Sequence, residues 1–427
     1  MKIRQSASIS ILLLSAGLCL SLSLKATTRT TKSTGLTKAA IQQLPNNTCA
    51  NLRTSPAIFG LTITDLNQAG AATDYLQQLI AANDRVPLVV RVVFEPIKES
   101  KKDKFEATLL EYVNKVKVLR DGNGPCILGT IADSEEMHFY LPDSPDPKWP
   151  VGYRNYEKWT ERLVTAMSGL VDIWEVGNEV NGEWYGWKDG KYKTNGEGKK
   201  PSPAYQRKRE LKRNRIKEEL SLAYRAIRRV RPATLTAITL VYNADQDSHH
   251  CYEFPEYEMY AWAREYLDSD LRSGVDFVLL SYYENTQDCS EVSRSPQQLV
   301  SVFSKLRDDF FVGDQTTFGF SETGYKQTCY RTDKPDEEIA DDARINNPVC
   351  QAGQSDYVDR YYRILDHDLT AGLQRYNSQP NVKQIKFVGG YFYWYFLQDM
   401  VLSTNAESNT VRDILSKARK DFRTQGY

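Results

Sequence analysis

The fold of this chain is indicated first by the stretch VDIWEVGNE, residues 171–179. Its apolar and β-prone first part predicts a buried strand over Val171–Gly177, and polar side chains follow where that strand ends. A strand that is apolar on both faces is typical of a parallel sheet covered by helices on both sides. The sequence around it is therefore expected to alternate strands with helices.

That alternation extends from residue 57 towards the end of the chain. Seven further strands are predicted at Ala57–Thr62, Pro87–Phe94, Cys126–Ile131, Leu235–Tyr242, Val275–Tyr282, Thr317–Ser321 and Ile385–Tyr393. A stretch of helical periodicity follows each strand, at Ala69–Ala82, Lys104–Arg120, Tyr156–Leu170, Ala204–Val230, Glu256–Leu267, Pro296–Asp308, Ser355–Tyr376 and Asn409–Phe422. Eight such units predict an α/β fold, a single (β/α)8 TIM barrel with long βα loops. A doubly wound open sheet is the alternative, but it would want a Gly-rich phosphate turn after an early strand, which is missing here.

The first 26 residues have the features of an export signal. Lys2 and Arg4 precede an apolar run at residues 9–24, which is interrupted by polar residues and shorter than the roughly 20 residues of a spanning helix. We therefore expect a signal peptide over residues 1–26, a flexible leader over 27–45 and one folded domain over 46–427. The mature protein is expected to be secreted or periplasmic, a monomer without stable membrane insertion.

Six cysteines remain once the signal is removed, and an even number in an exported chain predicts disulfide bonds. We expect Cys251 to pair with Cys289, because they follow consecutive predicted strands. Cys329 and Cys350 lie in one long predicted loop and form the second expected pair. Cys49 and Cys126 are then left for each other by elimination.

The overall charge argues against a nucleic-acid partner. The chain carries 55 basic and 55 acidic residues, and it contains four histidines with no cysteine pair at zinc-ligand spacing. We expect no metal and no cofactor. The segment over residues 188–231 is locally basic, which is compatible with an acidic polysaccharide but more typical of a solvated helix face.

Two glutamates end predicted strands, at the carboxyl ends where a barrel of this kind forms its active site. Glu179 follows the fourth strand, and Glu322 follows the seventh in the stretch TFGFSETG, residues 317–324. Both stretches resemble the catalytic motifs of the clan A glycoside hydrolases, over about Ala57–Met400. The resemblance implies that Glu179 is the catalytic acid/base and Glu322 the nucleophile. A glycosidic bond that breaks with retention requires two such carboxyl groups about 5–5.5 Å apart.

Three further residues resemble supporting positions of the clan. Arg91 is a charge inside an apolar strand and needs a partner, which the resemblance gives as the nucleophile. The alternatives for Arg91 are Glu175 and Glu95. Asn178 resembles the residue that binds the sugar 2-hydroxyl, although it could be a turn residue.

Tyr283 resembles the clan tyrosine whose hydroxyl contacts the nucleophile. Ser281, two residues earlier, stands where many members have histidine. Tyr282 takes the role of Tyr283 if the register slips by one residue. Val180 stands where many members carry proline, so no family is assigned.

Several residues are candidates for contact with a carbohydrate. Trp394 ends the last strand and resembles the clan's aromatic floor under the reacting sugar, with a core position as the alternative. Trp184 and Trp187 lie in the long fourth loop, where they could stack on pyranose rings or pack the loop against the barrel. Asp65 follows the first strand and could bind a hydroxyl group, although single polar residues there are usually caps.

The sequence thus predicts a retaining glycoside hydrolase that acts on a poly- or oligosaccharide, with β linkage implied by the resemblance. A transglycosidase would use the same two glutamates. A non-catalytic carbohydrate-binding barrel would not need both of them. A metal-dependent barrel hydrolase would want more His and Asp ligands at the strand ends.

Overall fold

Strands and helices alternate along the chain of the computed structural model. The strands are β1 (Ile58–Ile63), β2 (Leu88–Val93), β3 (Cys126–Thr130), β4 (Ile173–Glu175), β5 (Leu235–Val241), β6 (Phe277–Ser281), β7 (Thr317–Phe320), β8 (Glu322–Thr323), β9 (Tyr330–Arg331), β10 (Lys334–Glu338), β11 (Lys386–Phe387) and β12 (Gly389–Tyr393). The α-helices are α1 (Ala69–Ala82), α2 (Phe105–Arg120), α3 (Tyr156–Ala166), α4 (Pro203–Val230), α5 (Met259–Tyr266), α6 (Ser269–Gly274), α7 (Pro296–Asp309), α8 (Gln354–Asp359), α9 (Asp366–Asn377) and α10 (Ala406–Asp421). None of the helices in the described part of the chain is long and apolar enough to cross a membrane.

The structure describes residues 48–94, 105–132, 156–182, 203–243, 258–283, 295–324, 330–331, 334–338, 344–347 and 353–423. The predicted signal peptide over residues 1–26 and the leader over 27–45 lie outside these ranges. So do the two predicted disulfides Cys251–Cys289 and Cys329–Cys350.

The parallel sheet closes on itself. Strands β1 to β7 pair in chain order, and β12 pairs with β1 on one side and with β8 on the other. Because Ser321 alone separates β8 from β7, these two form one interrupted strand, and β11 pairs with β7 in the same way. The eight predicted strands therefore form a ring with helices outside it. The predicted TIM barrel is confirmed.

Strand β12, which closes the barrel, has an irregular backbone where it meets its neighbours. Gly389, Gly390 and Tyr391 all have positive φ angles, of 82°, 92° and 52°. A Cβ atom on Gly390 would lie 2.3 Å from the carbonyl oxygen of Phe320, so a side chain there would push the strands apart. The glycines therefore permit the close approach that joins the last strand to the seventh.

One long helix predicted from the sequence is divided in the structure. The stretch predicted as Ser355–Tyr376 contains a π-helical turn at Arg360–Leu365, between α8 and α9. The hydroxyl of Tyr361 donates to the carbonyl of Tyr282 at 3.2 Å, and that of Tyr362 donates to the carbonyl of Gly60 at 2.7 Å. The wider turn lets two adjacent tyrosines contact the barrel, which helical periodicity alone does not predict.

The interior of the barrel is apolar towards the amino-terminal ends of the strands. Its side chains come from alternate positions of the strands and form a cluster separate from the core between strands and helices, with Ile58, Val89, Leu128, Ile173, Ala237 and Leu279 among them. Cys49 and Leu52, from the segment before β1, belong to the same cluster. The cluster therefore fills the amino-terminal end of the barrel.

A disulfide bond holds that segment in place. Cys49 is bonded to Cys126, the first residue of β3, with their Cα atoms 5.5 Å apart. Arg120 supports the bond, since its Nη1 lies 3.3 Å from Cys49 Sγ and 3.0 Å from Asp172 Oδ2. The pairing that was left by elimination is confirmed.

Loss of this disulfide is expected to lower the free energy of unfolding by about 4 kcal/mol. The bond closes a loop of 77 residues, and the chain entropy that it removes from the unfolded state grows with loop length. Urea denaturation of the Cys49→Ser/Cys126→Ser double variant, compared with the parent, measures the difference. An unchanged midpoint at an unchanged slope would contradict the expectation.

Several arginines of the basic helix α4 form ion pairs with carboxylates of the same helix or of its neighbours. Arg228 lies 2.8 Å from Asp276, and Arg215 lies 2.6 Å from the buried Glu219. Arg229 contacts Glu157 at 3.0 Å and also pairs with Glu161. These contacts fit the interpretation of the basic segment as a solvated helix face, although only its part from residue 203 onwards lies within the described residues.

Candidate active site

A layer of polar side chains replaces the apolar interior at the carboxyl ends of the strands. Each lies two residues after a member of the interior cluster and so points into the same space. These side chains are Arg91, Thr130, Glu175, Thr239 and Ser281, and all are at most 3% exposed. The strands thus change from apolar to polar near the mouth of the barrel.

Glu322 receives hydrogen bonds from three of the described residues at this mouth. Its Oε1 accepts from Arg91 Nη1 at 2.9 Å and from Asn178 Nδ2 at 2.8 Å, and its Oε2 accepts from the hydroxyl of Tyr283 at 3.1 Å. The side chain is 6% exposed. Hydrogen bonds donated to a carboxylate, one of them from a cation, favour its ionised form.

Among the described residues, Glu179 has a hydrogen-bond donor of a different kind from those of Glu322. Its Oε1 accepts a hydrogen bond of 2.5 Å from the neutral hydroxyl of Ser281. The residue is 9% exposed and immediately follows Asn178, whose amide contacts Glu322. The two glutamates of the sequence motifs are therefore brought to one mouth through adjacent residues.

Arg91 connects the two sides of the site. Its Nε lies 2.9 Å from Glu175 Oε2, and its Nη1 lies 2.9 Å from Glu322 Oε1, with the guanidinium fully buried. Glu175 also accepts hydrogen bonds from the hydroxyl groups of Thr130 and Thr239. Glu322 and Glu175, two of the three partners predicted for Arg91, therefore bind it at the same time. The third, Glu95, lies outside the described residues.

Tyr283 remains a hydrogen-bond donor. Burial raises the pKa of its hydroxyl well above the ordinary value, and the nearby charges of Glu322 and Glu179 raise it further. Tyr282 instead packs its ring against Tyr242 and Phe320. The neutral hydroxyl of Tyr283 therefore faces Glu322 over the whole physiological pH range.

The remaining candidates differ in position. Trp394 is partly buried, and its ring centroid lies 5.4 Å from Cζ of Arg91, which places it beside the charged pair. Asp65 accepts hydrogen bonds of 2.8 Å from the backbone and side-chain nitrogens of Asn67, so its carboxylate caps a short helical turn. Trp184 and Trp187 lie outside the described residues.

A second buried arginine, from the segment between β10 and α8, packs near the mouth. Arg344 lies 3.2 Å from Asp399 Oδ2, and its Cζ is 3.4 Å from the ring centroid of Tyr395. A Cβ on Gly324, two residues after Glu322, would contact both Tyr283 and Tyr395. Arg344 thus anchors aromatic residues that pack next to the Glu322 segment.

Comparison with solved structures identifies related architectures. The β-glycosidase from the hyperthermophile Thermosphaera aggregans aligns with a TM-score of 0.50 and 12% identity, over 83% of this chain and 85% of that one. The virulence factor SghA, in complex with its substrate analog salicin, also aligns with a TM-score of 0.50 and 12% identity, over 88% of this chain and 97% of that one. The chain therefore shares its barrel fold with these two structures. No protein-family model and no curated protein matches the sequence.

Three contacts at the mouth of this barrel were not predicted from the sequence. Ser281 was noted only as a departure from the clan pattern, whereas its hydroxyl contacts Glu179. Thr130 and Thr239 were not singled out, although both bind Glu175. Side chains of a strand alternate between its two faces, so a polar residue two positions after an apolar interior residue also points inward. This rule could have identified Ser281, Thr130 and Thr239 as buried polar residues that need partners.

Proposed function

We propose that the protein is a retaining glycoside hydrolase that cleaves β-linked O-glycosidic bonds of a poly- or oligosaccharide. Glu322 acts as the nucleophile and Glu179 as the acid/base. The contrast between the two carboxyl groups supports this assignment more than any other observation. Glu322 is surrounded by the donors of Arg91, Asn178 and Tyr283, and Glu179 accepts from a neutral hydroxyl.

In the first step Glu322 forms a bond to the anomeric carbon while the bond to the leaving oxygen breaks. Glu179 gives its proton to that oxygen, so the leaving group departs as a neutral alcohol. In the second step Glu179 takes a proton from water, and the water oxygen displaces Glu322. Two inversions at one carbon give net retention.

The surrounding residues supply charge and orientation. Arg91 balances the negative charge of Glu322, and the amide of Asn178, which contacts Glu322, is proposed to bind the 2-hydroxyl of the sugar as well. Trp394, beside Arg91, offers an aromatic face for the ring. We also propose that the enzyme acts outside the cytoplasm, because residues 1–26 have the features of an export signal.

The stereochemistry of the first product tests the proposal. We expect the purified protein to hydrolyse at least one member of a panel of aryl β-glycosides, and proton NMR to show the β-anomer before mutarotation. Activity should survive treatment with a chelator, since no step uses a metal. First release of the α-anomer, loss of activity with chelator, or no turnover of any glycoside would each overturn the proposal.

A further inference from the structure

We propose that Ser281 positions Glu179 and decides which of its two carboxyl oxygens carries the transferred proton. This inference rests on the proposed function, because the proton of Glu179 is transferred only if Glu179 is the acid/base. Ser281 itself does not contact the reacting atoms. Ser281 is the last residue of β6, and its side chain is buried inside the barrel mouth.

The contact between the two side chains is short. Ser281 Oγ lies 2.5 Å from Glu179 Oε1, at the short end of the range for a hydroxyl that donates to a carboxylate. Ser281 itself is fixed by the sheet, since Tyr242 donates its backbone N–H to the carbonyl of Ser281 at 3.0 Å. A donor held by a strand can therefore define the orientation of the carboxyl plane.

The backbone of Glu179 is held in an unusual conformation. Its φ angle is 46°, in the left-handed region that non-glycine residues seldom adopt. Val180 donates to the carbonyl of Thr239 at 3.2 Å, and Gly182 donates to the carbonyl of Glu179 at 2.7 Å. These bonds hold the backbone, and the contact with Ser281 holds the far end of the side chain.

While the hydroxyl of Ser281 donates to Oε1, a proton on Oε1 would require this hydroxyl to turn and accept instead, whereas a proton on Oε2 leaves the hydrogen bond in place. The proton of the acid form therefore resides on Oε2. Both half-reactions use it: the Oε2–H bond breaks as the leaving oxygen is protonated, and it forms again as water is deprotonated. Ser281 thereby keeps the transferable proton on one defined atom.

Other charged and titratable groups also act on Glu179. Tyr283 follows β6, and its hydroxyl lies within the electrostatic reach of Glu179. Glu322 comes from β8 and is joined through Arg91, on β2, to Glu175, on β4. Replacement of Ser281 leaves all of these groups in place, so its effect on the protonation of Glu179 can be measured separately.

The Ser281→Ala variant tests the inference through leaving-group dependence and pH. We expect kcat/KM to fall about tenfold on a phenyl β-glycoside, whose leaving group needs protonation, and to change little on the 2,4-dinitrophenyl β-glycoside of the same sugar. Loss of a donor to the charged form raises the pKa of Glu179. The alkaline limb of kcat/KM should therefore move to higher pH by about one unit.

Two further variants serve as controls. Ser281→Thr keeps a hydroxyl and should restore most of the leaving-group dependence and the pH profile. Ser221→Ala removes a buried serine hydroxyl on α4 and should behave like the parent. Equal losses on both substrates with an unmoved pH profile would overturn the inference while leaving the proposed function intact. A parent protein without glycosidase activity would overturn both.

Discussion

Replacement of Glu322 with alanine is expected to lower kcat/KM on an aryl β-glycoside by about 10⁴-fold or more. The variant has no group to form the bond to the anomeric carbon, whereas Arg91, Asn178 and Tyr283 remain as donors around the vacated space. A small anion can occupy that space and attack in place of the carboxylate. Azide should therefore restore turnover and give the α-glycosyl azide, which product analysis by NMR identifies.

The control for this experiment removes a buried carboxylate from the other end of the barrel. Asp276 precedes β6 and pairs with Arg228 at 2.8 Å, at the amino-terminal end of the strand. Asp276→Asn should change stability without changing the response to azide. If Glu322→Ala keeps full activity, or if azide produces only the β-azide, Glu322 is not the nucleophile.

The barrel itself was predictable because its strands and helices differ in local pattern. A buried parallel strand is apolar on both faces, and an outer helix is apolar on one, so the two periods separate along the sequence. The helix predicted at Ala69–Ala82 ends at the same residues in the structure, and β3 begins at Cys126 as predicted. Irregular details were missed where tertiary contacts override the pattern. The π-helical turn at Arg360–Leu365 is one of them.

The candidate site was predictable only in part, because the resemblance supplied residues one by one and the sequence did not supply their mutual contacts. Arg91 required a buried partner, but a one-dimensional pattern offered competing choices. The structure shows two partners at once, since a guanidinium has donors on different edges. The contact from Ser281 to Glu179 spans 102 residues of chain and depends on how β4 and β6 lie across the ring.

The charge balance inside the barrel accounts for a second large effect. Arg91 is the cation between Glu175 and Glu322, and the side chains of Arg91 and Glu175 are fully buried. Removal of one partner from a buried ionic group leaves the other charges uncompensated, which typically costs about 3–5 kcal/mol. This network therefore links the stability of the fold to the ionisation of the proposed nucleophile.

The Arg91→Met variant should lose stability and activity together. We expect urea denaturation to show a free energy of unfolding lower by about 3 kcal/mol or more, and kcat/KM at neutral pH to fall by about 10²-fold. Without the guanidinium the ionised form of Glu322 is less favoured, so its pKa rises and the acidic limb of kcat/KM moves to higher pH. Arg91→Lys keeps the charge but cannot contact Glu175 and Glu322 from two edges of one planar group. Its stability and its kcat/KM should therefore lie between those of the parent and of Arg91→Met.

A double variant separates the charge from the packing. In Arg91→Met/Glu175→Gln the carboxylate that lost its partner is also removed. The amide oxygen can still accept from one of the two hydroxyls of Thr130 and Thr239, and the amide nitrogen can donate to the other. We therefore expect the double variant to unfold at a higher urea concentration than Arg91→Met, although the acidic limb should stay displaced because Glu322 still lacks its cation. If both variants unfold at the same urea concentration, the loss of stability arises from the lost packing of the arginine side chain and not from an unpaired charge.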